Sequence, residues 1–164
     1  TTWYVSRLAY LFDATAITDS DNIDSAVLSF FSTTQNDNSE VTNPATHSIV
    51  SSNPASNTNL VTADFEIANW GTTKFGTDIT IATWSASAAY RDFTLNASGL
   101  ANISKTVVSK FGQRGANDLA NAEPSARSYS FSRFADFTGT TEDPKLVIQH
   151  SAAGATFVPR VTIF

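Results

Sequence analysis

Short runs of alternating apolar and polar residues recur along the chain, and polar, turn-forming segments separate them. From Ile23 to Thr33, for example, Ala26, Leu28 and Phe30 fall on one face of an extended strand. Eight or more strands are predicted in this way, and the clearest lie within residues 3–12, 23–33, 47–51, 78–84, 91–95, 107–114, 127–133 and 145–150.

The segments between these runs predict mostly loops. Residues 35–43 and 53–59 are rich in turn-forming residues, whereas residues 62–67 satisfy neither period and fit a helical turn or a short strand. Leu100 and Ile103 stand at helical spacing behind Ser98, an acceptable N-cap, and predict one short helix. The chain is therefore predicted to be an all-β, antiparallel, jelly-roll-like β-sandwich with one short helix.

The end of the chain has a different composition from the rest. Residues 1–150 are predicted to form one sandwich domain, and residues 151–164 an Ala/Gly linker followed by an apolar C-terminal strand or tail. Val161, Ile163 and Phe164 are costly to leave in water. We expect the tail either to dock on its own sandwich or to add a strand to a neighbouring subunit.

Composition narrows the classes of function. The 164 residues include 42 Ser and Thr, 15% charged residues and no Cys, which indicates an extracellular, cell-surface or virion-surface protein without disulfides or thiolate chemistry. A net charge of -5 with scattered basic residues opposes nucleic-acid binding. The sequence contains no run of 18 apolar residues, so membrane insertion is not predicted. The lack of Met favours a processed chain or an excised domain.

Several positions together resemble a known family. They are Arg7 ahead of Phe12–Asp13, Ile17, Ile23 with Ser25–Ala26 and Leu28, Phe93 with Leu95–Asn96, Phe111–Gly112 with Arg114, and residues 143–148. Over residues 3–150 this set resembles carbohydrate-binding module family 96 and related DNRLRE-type domains, which are jelly-roll sandwiches of long surface proteins. The resemblance implies a non-catalytic module, and it supports the fold more strongly than sugar binding.

The candidate sugar-binding residues are aromatic rings with a polar neighbour. Trp70, Trp84 and Tyr90 lie in a segment of modest charge, and exposed flat rings stack against the C–H faces of sugars. Trp70, between Asn69 and Gly71, is the ring we expect to be exposed. For any single ring, packing in the core is the competing interpretation.

An acidic turn is the candidate metal site. Asp19, Asp21 and Asp24 lie within six residues, and calcium prefers clustered oxygen ligands. The turn lacks the glycine and glutamate of an EF-hand loop, so a solvated turn is favoured over structural calcium. No other cofactor is predicted.

The sequence contains no local motif that would indicate a catalytic nucleophile with its histidine base. His47 and His150 have no spacing that would pair them, and no nucleophile-elbow motif occurs, so an enzyme is not expected. The leading hypothesis is a non-catalytic surface module that binds glycans or mediates adhesion. The alternative is a structural subunit of a virion or an extracellular filament, a homo-oligomer or partner of other structural subunits, assembling through sheet edges and the C-terminal strand.

Overall fold

A computed structural model describes residues 5–37, 46–84, 86–123, 129–132, 139–154 and 160–164. The strands are β1 (Leu8–Phe12), β2 (Asn22–Asp37), β3 (Thr46–Ser51), β4 (Ile79–Thr80), β5 (Ala89–Thr94), β6 (Ser109–Gly115), β7 (Tyr129–Ser132), β8 (Lys145–Ser151) and β9 (Arg160–Ile163). The helices are α1 (Ile81–Trp84), α2 (Ala97–Ala101), α3 (Ala116–Leu119) and two 3-10 helices, Thr62–Phe65 and Ile67–Asn69.

These strands form two antiparallel sheets, which we call sheet A and sheet B. Sheet A has the order β1-β6-β3-β4, and sheet B has the order β5-β2-β8-β9 with β7 also paired to β2. Successive strands β1, β2 and β3 alternate between the sheets, as do β4, β5 and β6. The prediction of an all-β antiparallel sandwich is confirmed, and the alternation is typical of a jelly-roll-like arrangement.

The core lies between the two sheets. Ala26, Leu28 and Phe30 of β2 are buried there, as their alternation predicted. Trp84 lies in the centre with its ring centroid 6.2 Å from that of Phe93. The remaining buried members of the cluster are Phe12, Ala14, Ile17, Ile49, Phe75, Leu95, Ile103, Phe111, Leu146 and Ile148.

The predicted strand over residues 78–84 is mostly wrong. Only Ile79–Thr80 pairs as a strand, and α1 follows it. The hydroxyl of Thr80 accepts a hydrogen bond from the main-chain N–H of Thr83 at 3.1 Å, which favours a helical turn at this point. The turn places Ile81 and Trp84, three residues apart, in the interior together.

The predicted loop over residues 35–43 is wrong at its start. Strand β2 runs on to Asp37, because Asn36 and Asp37 pair with Ser130 and Tyr129 of β7. Tertiary pairing here overrides a polar sequence. Residues 38–43 lie outside the described part of the chain.

Helix content also differs from the prediction, since the described residues hold three short α-helices rather than one. The predicted helix is α2, but its N-cap is Asn96 and not Ser98: the Asn96 Oδ1 accepts from the N–H of Gly99 at 3.0 Å. None of the helices in these described ranges is long and apolar enough to cross a membrane.

Candidate functional site

Trp70 is buried, so the prediction that its ring is exposed is wrong. Only 7% of the residue is accessible to solvent. The indole lies on the outer side of sheet A over Gly112, where a Cβ atom would come within 2.9 Å of a ring carbon. Its Nε1 donates to the carbonyl of Asp64 at 2.9 Å. Because glycine leaves room on β6, the ring covers sheet A and cannot stack on a sugar.

Trp84 and Tyr90 offer little more ring surface. Trp84 is fully buried and packs on the imidazole of His47, with ring centroids 4.4 Å apart. Tyr90 is half-buried on the outer side of sheet B, where its hydroxyl donates to the carbonyl of Asp143 at 3.0 Å. The ammonium of Lys145 lies 3.5 Å from the centroid of the Tyr90 ring and occupies one of its faces.

The fourth predicted sugar-binding residue is Asn69. Its side-chain amide donates to the carbonyl of Ala63 at 3.0 Å and fixes the turn between the 3-10 helices. Asn69 and Trp70 lie on the side of sheet A, whereas Tyr90 lies outside sheet B. The structure therefore does not bring the four predicted residues together in one surface.

The three aspartates of the acidic turn do not form a metal-binding group in the described part of the chain. The carboxylate of Asp24 accepts from the hydroxyl of Ser151 at 3.0 Å, and Asp19 is exposed. The ammonium of Lys105 bonds the main-chain carbonyls of Asp19 and Asp21, so a cation of the chain itself binds these oxygens. Within the described residues no three acidic or histidine side chains form a metal-binding group.

A hydrogen-bonded relay ties the acidic turn to the C-terminal strand. Asp21 Oδ2 lies 2.8 Å from His150 Nδ1, and His150 Nε2 lies 3.1 Å from the hydroxyl of Thr162. Asp21 and His150 are both buried. We call these three residues the β9 clasp, because they connect the turn before β2 with β8 and β9.

The order carboxylate, imidazole, hydroxyl is also that of a catalytic triad. In such triads the nucleophile presents its own N–H, or one close by, to the developing oxyanion. Thr162 instead stands in the middle of β9, paired with Ile148 of β8. The geometry fits an anchoring role for the β9 clasp better than hydrolysis.

The tail docks on its own sandwich, with β9 antiparallel to β8 at the edge of sheet B. The three predicted assembly residues divide between two environments. Phe164 packs against the core, whereas Val161 and Ile163 are 58% and 68% exposed. Among the described strands only β8 pairs with β9, so within the described residues β9 is an edge strand of sheet B.

A largely buried ion cluster, in which Arg114 is buried and Arg7 and Asp118 are partly buried, lies on the outer side of sheet A. Arg7 donates from Nε and Nη2 to the two oxygens of Asp118 at 2.9 and 2.6 Å, and Arg114 Nε donates to the same carboxylate at 2.6 Å. Burial acts to raise the pKa of Asp118. The hydrogen bonds and charges of the two arginines outweigh it and lower that pKa to about 2.

Phe65 is an exposed ring that rests on this cluster. The guanidinium carbon of Arg7 lies 4.6 Å from the ring centroid, and Arg7 Nη1 donates to the carbonyl of Phe65 at 2.7 Å. The residue remains 46% exposed. The ring is therefore held in place from below while much of it faces solvent.

Sequence reasoning missed the β9 clasp, the ion cluster and the Phe65 ring. Asp21 and His150 are 129 residues apart, and Arg7 and Asp118 are 111 residues apart. No local spacing signals such pairs. For Phe65 the sequence signal is partial, because residues 62–67 satisfy neither the helical nor the strand period.

Comparison of the chain with protein-family models, with curated proteins and with solved structures gives no significant match.

Proposed function

We propose that the chain is a non-catalytic structural β-sandwich module of a virion surface structure or an extracellular filament. It assembles with copies of itself through strand β9. The observation that carries this proposal is the exposure of Val161 and Ile163 at the free edge of sheet B. An unpaired edge with exposed aliphatic side chains is a template for pairing with another chain.

The edge lacks most of the devices that protect natural sheet edges. Charged side chains, prolines and bulges usually blunt such an edge. Within Arg160–Ile163 the first residue is the one charged residue, and the other three are Val, Thr and Ile. These β-branched residues favour an extended strand and a new sheet partner.

The chemistry of the titratable groups supports a non-catalytic role. Asp64 accepts from two main-chain N–H groups, of Ala55 and Val61, and Asp118 binds two arginines. His150 belongs to the β9 clasp. These groups hold the fold together, and the hydroxyl-rich, charge-poor composition supports a location outside the cell or on a virion.

Light scattering of the purified chain over a range of concentrations tests this assembly. We expect the wild-type chain to self-associate and Ile163→Lys to shift the equilibrium strongly towards monomer, because it charges the edge. Leu60→Lys is the matched control, since Leu60 is 62% exposed in the segment between β3 and the 3-10 helices. A wild-type chain that stays monomeric throughout, or equal weakening by both lysines, would refute the proposal.

Glycan binding or adhesion is a second candidate function, and Phe65 is the observation that favours it. Its ring is exposed and is fixed by Arg7, so little side-chain entropy would be lost on stacking against a sugar. A glycan array with the purified chain tests this candidate. Saturable binding that Phe65→Ala abolishes and Leu60→Ala preserves would support it, and no binding to any glycan would count against it.

A further inference from the structure

We propose that two copies of the chain pair their β9 strands antiparallel about a two-fold axis at Thr162. The B sheets of the two sandwiches then join into one continuous sheet. This inference rests on the assembly role proposed above, and it specifies the partner, the strand direction and the register. Such a contact is self-complementary, as a two-fold interface requires.

The pairing of β9 with β8 determines which main-chain N–H and C=O groups of β9 point to the free edge. Leu146 and Phe164 exchange both main-chain hydrogen bonds, at 3.4 and 3.3 Å. In an antiparallel ladder such pairs alternate with pairs that make no mutual hydrogen bonds. Thr162 therefore directs its N–H and C=O towards β8, and Val161 and Ile163 direct theirs to the free edge.

One register uses all four of these outward groups. With Thr162 opposite Thr162 of the second copy, Val161 of each copy meets Ile163 of the other as a hydrogen-bonded pair. Two such pairs give four main-chain hydrogen bonds. A shift that sets Val161 against Val161 would place Ile163 opposite Pro159, which has no N–H to donate.

Side chains on the outer face of sheet B favour the same register. Val27, Val147 and Ile163 lie side by side in one row across β2, β8 and β9. In the paired sheet this row continues onto Val161 of the second copy. The pairing would then cover Val161 and Ile163, the two most exposed aliphatic residues of the edge. Cross-strand pairs of β-branched side chains stabilise sheets.

The β9 clasp keeps each strand in its own sandwich during this contact. Thr162 points inward to His150, in step with Ile148 on β8, and so leaves the outward edge unaltered. The contact is then an addition of edges rather than an exchange of strands. An intact clasp is compatible with the dimer.

Disulfide cross-linking tests the register, and the chain contains no native cysteine to interfere. Paired residues in antiparallel strands have Cα atoms about 4.5 or about 5.5 Å apart, within the range that a disulfide spans. Under mild oxidation we expect Thr162→Cys to form a covalent dimer by itself. We expect Val161→Cys and Ile163→Cys to cross-link when mixed and only weakly when each is alone. Leu60→Cys is the control for random collision.

The outcomes separate the inference from the proposal on which it rests. If light scattering shows self-association but Val161→Cys cross-links alone as well as in the mixture, the register is wrong and assembly stands. If the wild-type chain is monomeric, both are wrong. The mixed experiment does not alter Thr162, so a folding defect in Thr162→Cys leaves the test decisive.

Discussion

Asp118 binds two guanidinium groups that the fold holds largely away from water. Arg7 precedes β1, Arg114 lies on β6 and Asp118 belongs to α3, so one carboxylate ties three elements together. The side chains of Arg7, Arg114 and Asp118 are 9%, 1% and 9% exposed. With a pKa of about 2 in the folded state, Asp118 stays charged at any pH above that value.

Replacing this carboxylate should destabilise the protein strongly. We expect Asp118→Asn to lower the free energy of unfolding by about 3–5 kcal/mol, because it leaves the charge of the buried Arg114 and that of the partly buried Arg7 without their partner. The matched control is Lys74→Ala, which breaks the exposed Lys74–Asp78 pair and should change it by about 0.5 kcal/mol or less. Urea unfolding of both variants near neutral pH makes the comparison. If both variants lose a similarly small free energy of unfolding, the ion cluster contributes little to stability.

Sequence could predict the residues whose role is set by their neighbours along the chain. Ala26, Leu28 and Phe30 alternate, and alternation alone predicts which face of β2 is buried. Trp70 could not be placed in this way, because its burial depends on Gly112, which lies 42 positions further along the chain on another strand. Ion pairs such as Arg7–Asp118 likewise depend on how the sheets and α3 are arranged.

Among the elements, β9 is held by fewer contacts than the inner strands. It pairs with β8 alone among the described strands, and it is four residues long. Within the β9 clasp, one side-chain hydrogen bond, between Thr162 of β9 and the buried His150, adds to this pairing. The anchoring of β9 therefore depends on a polar contact in addition to the packing of Phe164.

Thr162→Val should weaken this anchor without changing the shape of the side chain. We expect unfolding to become easier by about 1 kcal/mol, because His150 Nε2 loses its partner. Thr94→Val on the exposed face of β5 is the control, with little expected change. Urea unfolding measures both variants, and amide hydrogen exchange shows whether β9 opens first. Unchanged stability and unchanged exchange in β9 would contradict an anchoring role.

One element was mispredicted because two periods fit the same residues. Ile79 and Ile81 match a strand, but Ile81 and Trp84 match a helical turn equally well. The Thr80 hydroxyl decides for the turn by capping it. The start of the polar segment 35–43 shows the opposite case, in which a partner strand, β7, extends β2 beyond its apolar residues.

Considered as a whole, the molecule contains two histidines, and partial burial disfavours the charged form of one of them. His47 lies on the ring of Trp84, and its Nδ1 is 2.8 Å from the amide nitrogen of Gln113. Burial lowers the pKa of His47 to about 4, from an ordinary value near 6.5. The unfolded chain therefore binds a proton at this residue at a pH where the folded chain does not.

The free energy of unfolding of the whole domain should consequently decrease as the pH is lowered through this interval. Between about pH 6.5 and about pH 4 the unfolded state holds more protons at His47, so acidification favours unfolding. The slope from one such group is at most about 1.4 kcal/mol per pH unit, and below pH 4 this group adds no further loss.

His47→Gln should flatten the slope in this interval, because glutamine does not titrate and can still accept from Gln113. Urea unfolding at a series of pH values measures this slope. Both proteins carry Ile163→Lys, so that assembly does not add to the apparent stability. Most carboxylates titrate below the upper part of this interval, which keeps the histidine contribution separable there. If His47→Gln and its parent show the same slope between pH 5 and pH 6.5, the His47 imidazole does not couple folding to pH.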